Sequence, residues 1–206
     1  MRAATFILVF ACSVLTSCDS EEDIETSRCD FLDGKLDRLI CAEDEWDEAI
    51  DELNSRHRRF VDVYDQALDG WDSGRSQSPT PAEFLADWSQ ERDQCVTDEF
   101  ILACVFRVYD KGIAALETRY GLTEPAASAV YRCDDGTGIV ASFYPGDAST
   151  VRLERAGATE VGWQVAAASG ARYETSGGIV FWDSGREAMA EWPAGTRLRC
   201  ELIESR

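Results

Sequence analysis

Two short stretches near the end of the chain hold the side chains best placed for chemistry. Ser169-Gly170-Ala171-Arg172-Tyr173 and Asp183-Ser184-Gly185-Arg186, separated by the apolar run Ile179 to Trp182, bring hydroxyls, a phenol and two guanidiniums into eighteen residues. A hydroxyl donates to a carboxylate or accepts from a carboxylic acid, and a guanidinium pairs with an ionised carboxylate. The pattern fits a polar probe that enters another protein's cleft. A self-sufficient catalytic centre is not expected. There is no G-x-S-x-G elbow, no glycine-rich phosphate loop follows a strand, and the single histidine, His57, lies far away in the sequence on an apolar face. No C-x-x-C pair accompanies that histidine, so neither a metal nor a cofactor is expected.

The elements that must hold these stretches alternate with a period of two. Val130 to Cys133, Ile139 to Tyr144, Thr150 to Arg155, Gly162 to Ala166, Arg172 to Glu174, Ile179 to Trp182, Glu187 to Trp192 and Arg197 to Leu202 read as short strands. Turn residues separate them: Asp134-Asp135-Gly136, Pro145-Gly146-Asp147, Ser176-Gly177-Gly178, Asp183-Ser184-Gly185 and Pro193-Ala194-Gly195. Strands this short and this evenly spaced predict a small antiparallel barrel of about eight strands over residues 130–206. Cys133 and Cys200 fall in its first and last strands, so a bridge between them would fasten the closure.

The first half is read differently. Trp46, Ile50, Leu53, His57, Phe60, Tyr64 and Leu68 recur at steps of four and three, one face of an amphipathic helix, and His57 on that face reads as a packed core residue. Residues 72–79 are a loop by composition. Thr80-Pro81-Ala82-Glu83 joins an N-cap hydroxyl, Pro at the first helical position and Glu at the third, and so starts a second helix with Phe84, Leu85 and Trp88. A third runs through Leu102, Phe106, Tyr109, Ile113, Leu116 and Tyr120 to a stop at Gly121. The fold class is therefore two domains, an all-α disulfide-pinned unit over residues 28–120 and an all-β barrel, joined by a linker at 121–129. Cys29 pairs most simply with Cys41 and Cys95 with Cys104, each pair bracketing a turn or helix end.

Six cysteines remain for such bridges once Cys12 and Cys18 are set aside, and an even count suits an oxidising compartment. Residues 1–17 have the charge, short apolar core and small-residue ending of a secretory leader. Leu15-Thr16-Ser17-Cys18 matches the bacterial lipobox, which makes Cys18 the acylated first residue of a mature lipoprotein in the cell envelope. Asp19 after it resembles an inner-membrane retention signal, a rule that varies between bacterial groups and leaves the choice of membrane open. Residues 18–27 read as an acidic tether. Charge is concentrated in the helical half, with 28 acidic and 11 basic residues over 19–125 against 11 and 8 over 126–206. That imbalance argues against nucleic acid and for a basic protein partner.

The order Cys29, Leu39-Ile40-Cys41-Ala42, Trp88 to Cys95, Cys104 and Tyr109 resembles the LprI-like lysozyme-inhibitor domains, which implies a small helical domain pinned by two disulfides. Tyr131-Arg132-Cys133-Asp134-Asp135-Gly136, Ala168 to Tyr173, Phe181-Trp182 with Gly185 and Glu187-Ala188, and Cys200 resemble the membrane-bound inhibitors of c-type lysozyme, the MliC family. That resemblance implies an eight-stranded barrel whose loop enters the lysozyme cleft, where a serine and a lysine meet two catalytic carboxyls. Ser169 takes the serine's position. Ser184 stands where the family has its lysine, with Arg186 as the nearest replacement and Arg172 as the next. The expected function is a lipid-anchored periplasmic inhibitor of c-type lysozyme. The departure at Ser184 keeps a second expectation open, an envelope interaction module without antilysozyme activity.

Overall fold

The computed structural model describes Leu36, Ile40 and residues 47–71, 79–193 and 195–205 of the 206-residue chain. The expected leader, the expected lipidation site Cys18, the expected acidic tether and the expected Cys29–Cys41 pairing lie outside the described residues. Among the described residues three continuous α-helices precede a barrel: α1 (Asp47–Asp69), α2 (Pro81–Gln94), followed by a 3-10 turn at Cys95–Thr97, and α3 (Ile101–Tyr120). Thr80 opens α2 through a complete capping box, its hydroxyl accepting from the Glu83 backbone N–H while the Glu83 carboxylate accepts from the Thr80 N–H. Gly121 closes α3 in the left-handed conformation.

The helical core gathers Ile50, Leu53 and Phe60 of α1, Trp88 of α2 and Val105, Tyr109, Ile113 and Leu116 of α3. Phe60 stacks on Trp88 with ring centroids 3.9 Å apart, and the indole N–H donates to the Val108 carbonyl. His57 packs in this region, half-buried, with Nδ1 3.1 Å from the Tyr109 hydroxyl. One residue departs from the expected apolar face: Leu68 is exposed, and Val63 and Ala67 are buried instead. A straight helix drifts about 20° per seven residues against a 3.5-residue stripe. By the third turn pair that rotation moves the buried face off Leu68. Cys95 and Cys104 are bridged across the 3-10 turn, tying the end of α2 to the first turn of α3.

The second half is a closed eight-stranded barrel in which each strand pairs antiparallel with its neighbours in sequence and β1 pairs with β8. The strands are β1 (Ala127–Cys133), β2 (Gly138–Tyr144), β3 (Thr150–Arg155), β4 (Ala158–Val165), β5 (Ala171–Thr175), β6 (Val180–Asp183), β7 (Glu187–Glu191) and β8 (Arg197–Ser205). Alternate residues fill the interior: Tyr131 and Cys133, Ile139 and Ala141, Val151 and Leu153, Tyr173, Phe181, Ala188 and Ala190, Leu198 and Cys200. Cys133 and Cys200 are register partners on β1 and β8 and form a disulfide that spans the seam where the barrel closes. Strand β1 starts at Ala127, within the stretch whose composition reads as linker, because Ala127 pairs with Phe143 of β2.

The two halves are packed against each other along α3. The Thr118 and Thr150 hydroxyls share a buried hydrogen bond of 2.5 Å, and Arg119, 9% exposed, donates to the Thr159 carbonyl with Glu160 4.0 Å away. Lys111 lies over the Trp163 ring at 5.4 Å. Burial pulls the Arg119 guanidinium below its ordinary pKa. Polar residues on a helix are usually solvated, and these are buried because the outer face of β3 and β4 covers them.

Candidate functional site

Strands β4 and β5 are joined by residues 166–170, and β6 and β7 by 184–186. Pairing of β5 with β6 brings these two turns to the same end of the barrel, with Ala171 opposite Asp183 and Arg172 opposite Trp182. Two contacts fix Ser169 against the second turn. The Trp182 indole N–H donates to the Ser169 carbonyl at 2.7 Å. Gly170 takes φ +67° and passes so close to β6 that a Cβ there would collide with the Asp183 carbonyl oxygen. The Ser169 hydroxyl itself is exposed and has no hydrogen-bond partner among the described residues.

Asp183 anchors the second turn from inside. Its carboxylate accepts from the buried Tyr131 hydroxyl at 3.0 Å and from the Gly185 N–H at 2.7 Å, so one side chain ties the barrel interior to the turn. Burial, and then the neighbouring Asp183 charge, hold the Tyr131 phenol well above the ordinary tyrosine pKa, and the same two causes raise Tyr173. Both phenols therefore stay neutral and act as structural groups. Tyr173 is 6% exposed and packs on Phe143 inside the barrel. Ser184 spends its hydroxyl internally, donating to the Glu187 carbonyl at 3.0 Å, and its N–H donates to the same oxygen.

The two arginines singled out in the sequence differ in availability. Arg172 is held by Glu174 on its own strand at 2.6 Å. Arg186 is exposed at the tip of the β6–β7 turn, and its side chain has no hydrogen bond or ion pair among the described residues. Its backbone carbonyl accepts from Leu202, which fixes where the side chain leaves the barrel.

Sequence reasoning missed two further cations. An open groove of about 730 Å³ runs over the outer faces of β7 and β8, and Ser169, Trp182 and Ser184 line it together with Arg132 and Arg199. Both guanidiniums are exposed and neither forms an ion pair within 4 Å among the described residues. Asp134, Glu187 and Glu201 share the groove, so it carries both signs of charge. Strand alternation places Arg132 and Arg199 outward. Their nearness to Ser169 depends on barrel register, with Arg199 opposite Met189 and Met189 opposite Trp182. Among the described residues no cluster of His, Cys, Asp and Glu could hold a metal ion.

The matched family is the membrane-bound lysozyme-inhibitor of c-type lysozyme, MliC, over residues 131–199. No curated protein and no solved structure matches the chain. The MliC match covers a third of the sequence and falls within the barrel, from Tyr131 on β1 to Arg199 on β8. It contains the Ser169 and Ser184 turns, the Asp183 anchor and both missed arginines, and it does not extend into the helices. The closed eight-stranded barrel agrees with the architecture expected from the MliC resemblance.

Proposed function

We propose that the barrel is a proteinaceous inhibitor of c-type lysozyme that inserts its Ser169 turn into the enzyme's cleft. One observation carries the reading: within the MliC-matched range, two contacts hold Ser169 rigidly at the barrel end while its hydroxyl is left free for a partner. Glycosidases of this type work with one protonated and one ionised carboxyl. A hydroxyl serves either one, and a guanidinium serves the ionised one. Arg186, on the neighbouring turn and without an internal partner, supplies that cation, and Arg199 on the groove wall is placed to support it. Arg172 is less suited, because Glu174 already neutralises it. The lipobox at Cys18 would hold the inhibitor at the envelope, where an attacking lysozyme arrives. The helical domain would serve beside it as an LprI-like module.

The test is inhibition of a c-type lysozyme by the full chain. Loss of one hydrogen bond to a charged group is worth about 1.5 to 3 kcal/mol, so Ser169→Ala and Arg186→Ala should each weaken inhibition roughly 10- to 100-fold. Absence of inhibition by the parent at micromolar concentration would refute the function. Full inhibition by both variants would refute the site. Ser184, which holds its own turn where the family has a lysine, favours a second reading as an envelope interaction module. A native envelope partner recovered without any lysozyme binding would decide for it.

A further inference from the structure

The helical domain is fixed to the barrel in an orientation that extends the surface around Ser169. Helix α3 and strand β4 run side by side in opposite directions. Arg119 meets Thr159 and Glu160, Lys111 meets Trp163, and Ala103, Phe106 and Arg107 share a groove with residues 164–166. From Lys111 back to Phe100 the helix rises about 16 Å at 1.5 Å per residue. From Trp163 to Ala166 the strand advances about 10 Å at 3.3 Å per residue. The start of α3 therefore stands level with the β4–β5 turn that carries Ser169, or slightly beyond it.

A large apolar side chain occupies that position. Phe100 is 68% exposed, the most exposed of the large hydrophobic residues described. It is the N-cap residue of α3, three residues before Ala103, which lines the groove. Its backbone is pinned, with its N–H donating to Asp98 Oδ1 at 2.8 Å, so little ordering remains to be done on binding. The groove is about 650 Å³ in volume and continues from α3 across the β2–β3 turn to Ala166, three residues from Ser169. Glu99 beside Phe100 and Asp147 in the groove carry carboxylates without an ion-pair partner among the described residues. Glu99 belongs to the half of the chain in which acidic residues outnumber basic ones 28 to 11, and in the groove itself Asp110 and Asp147 stand with Arg107 and Lys111.

We infer that the N-terminal turn of α3, headed by Phe100, is a second contact surface for the same basic protein, c-type lysozyme, bound at once with the Ser169 turn. This rests on the inhibitor reading of the barrel. The acidic excess of the helical half, which suits a basic target, and continuity of the groove with the strand leading to the Ser169 turn select this occupant. Phe100 supplies an apolar anchor, and Glu99 and Asp147 supply attraction that salt screens.

Binding of the full chain to a c-type lysozyme, measured by calorimetry at low and at physiological salt, tests it. Phe100→Ala is expected to raise Kd about tenfold, an ordinary effect for an exposed aromatic anchor. The double variant Glu99→Lys, Asp147→Lys should weaken binding mainly at low salt. Because all three side chains are exposed, melting curves should match the parent. A Kd for Phe100→Ala within about twofold of the parent, with Ser169→Ala still impaired, overturns this surface and leaves the barrel site standing. The same unchanged Kd together with loss of self-association assigns Phe100 to a contact between two copies and also overturns it. No binding by the parent overturns both readings.

Discussion

Replacing Gly170 with Ala should displace the Ser169 turn while leaving the barrel folded. Two costs combine. The residue sits at φ +67°, where a side chain adds about 1 to 2 kcal/mol of backbone strain. The new Cβ would also collide with the Asp183 carbonyl and come within 3.1 Å of Trp182 Nε1. The turn must therefore lift from β6, which breaks the 2.7 Å bond from Trp182 to the Ser169 carbonyl. That bond is worth about 1 kcal/mol, for a total of about 2 to 3 kcal/mol. Gly185 is the internal control. It sits at φ +92° on the facing turn, and a Cβ there would meet nothing within 4 Å, so Gly185→Ala carries the backbone cost alone. Thermal unfolding of the two variants isolates the collision as the difference between them. For a chain of this size Gly170→Ala should lower Tm by roughly 4 to 12 °C. Inhibition of lysozyme should fall with it, because Ser169 moves with the turn. A Gly170→Ala protein no less stable than Gly185→Ala, with full inhibition, would refute the close approach and with it the rigid presentation of Ser169.

Two further outcomes concern stability. Replacing Cys133 and Cys200 with Ser opens a bridge between residues 67 apart and should cost about 4 kcal/mol in the chain-entropy view, read as the shift in denaturant midpoint under non-reducing conditions. A loss below about 1 kcal/mol would contradict a role for the bridge in holding the barrel closed. Alkaline pH should also destabilise the fold. Burial first of all pushes Tyr120, whose hydroxyl donates to the Pro79 carbonyl, up to about 12, whereas in the unfolded chain tyrosine titrates near 10. A raised folded-state pKa contributes stability that is fully present below about pH 10 and is lost as pH rises through about 12. Melting curves over that interval should fall less steeply for Tyr120→Phe, and equal slopes would exclude Tyr120 as the group responsible.

Much of the architecture was legible because local chemistry and tertiary structure agree. Alternation at Tyr131, Cys133, Ile139 and Ala141 marks an inner face whether or not the neighbouring strand is known. The Thr80 capping box and the Gly121 stop depend on residues within one helical turn. The candidate site was legible only in part. Ser169, Ser184 and Arg186 stand in turns recognisable from glycine and polar content, but which of the site's side chains stays free is set by the folded conformation. Glu174 neutralises Arg172 through a two-residue strand step, and Ser184 turns its hydroxyl to the Glu187 carbonyl. Both partners are near in residue order, and only the folded strand and turn decide that these contacts form.

The sequence by itself determined which segments become helices and strands and which cysteines lie at the ends of the barrel, because periods of 3.6 and 2 and turn residues act over a few positions. The tertiary structure alone decided what stands beside Ser169. Barrel register brings Arg199 of β8 to its groove across β7 and β6, from thirty positions further along the chain. Docking of α3 then buries Arg119 and Thr118, which composition alone would leave in water, and lays Lys111 over the Trp163 ring of β4. Such neighbours follow from strand pairing and packing between distant segments, and residue order does not encode that distance in any single stretch.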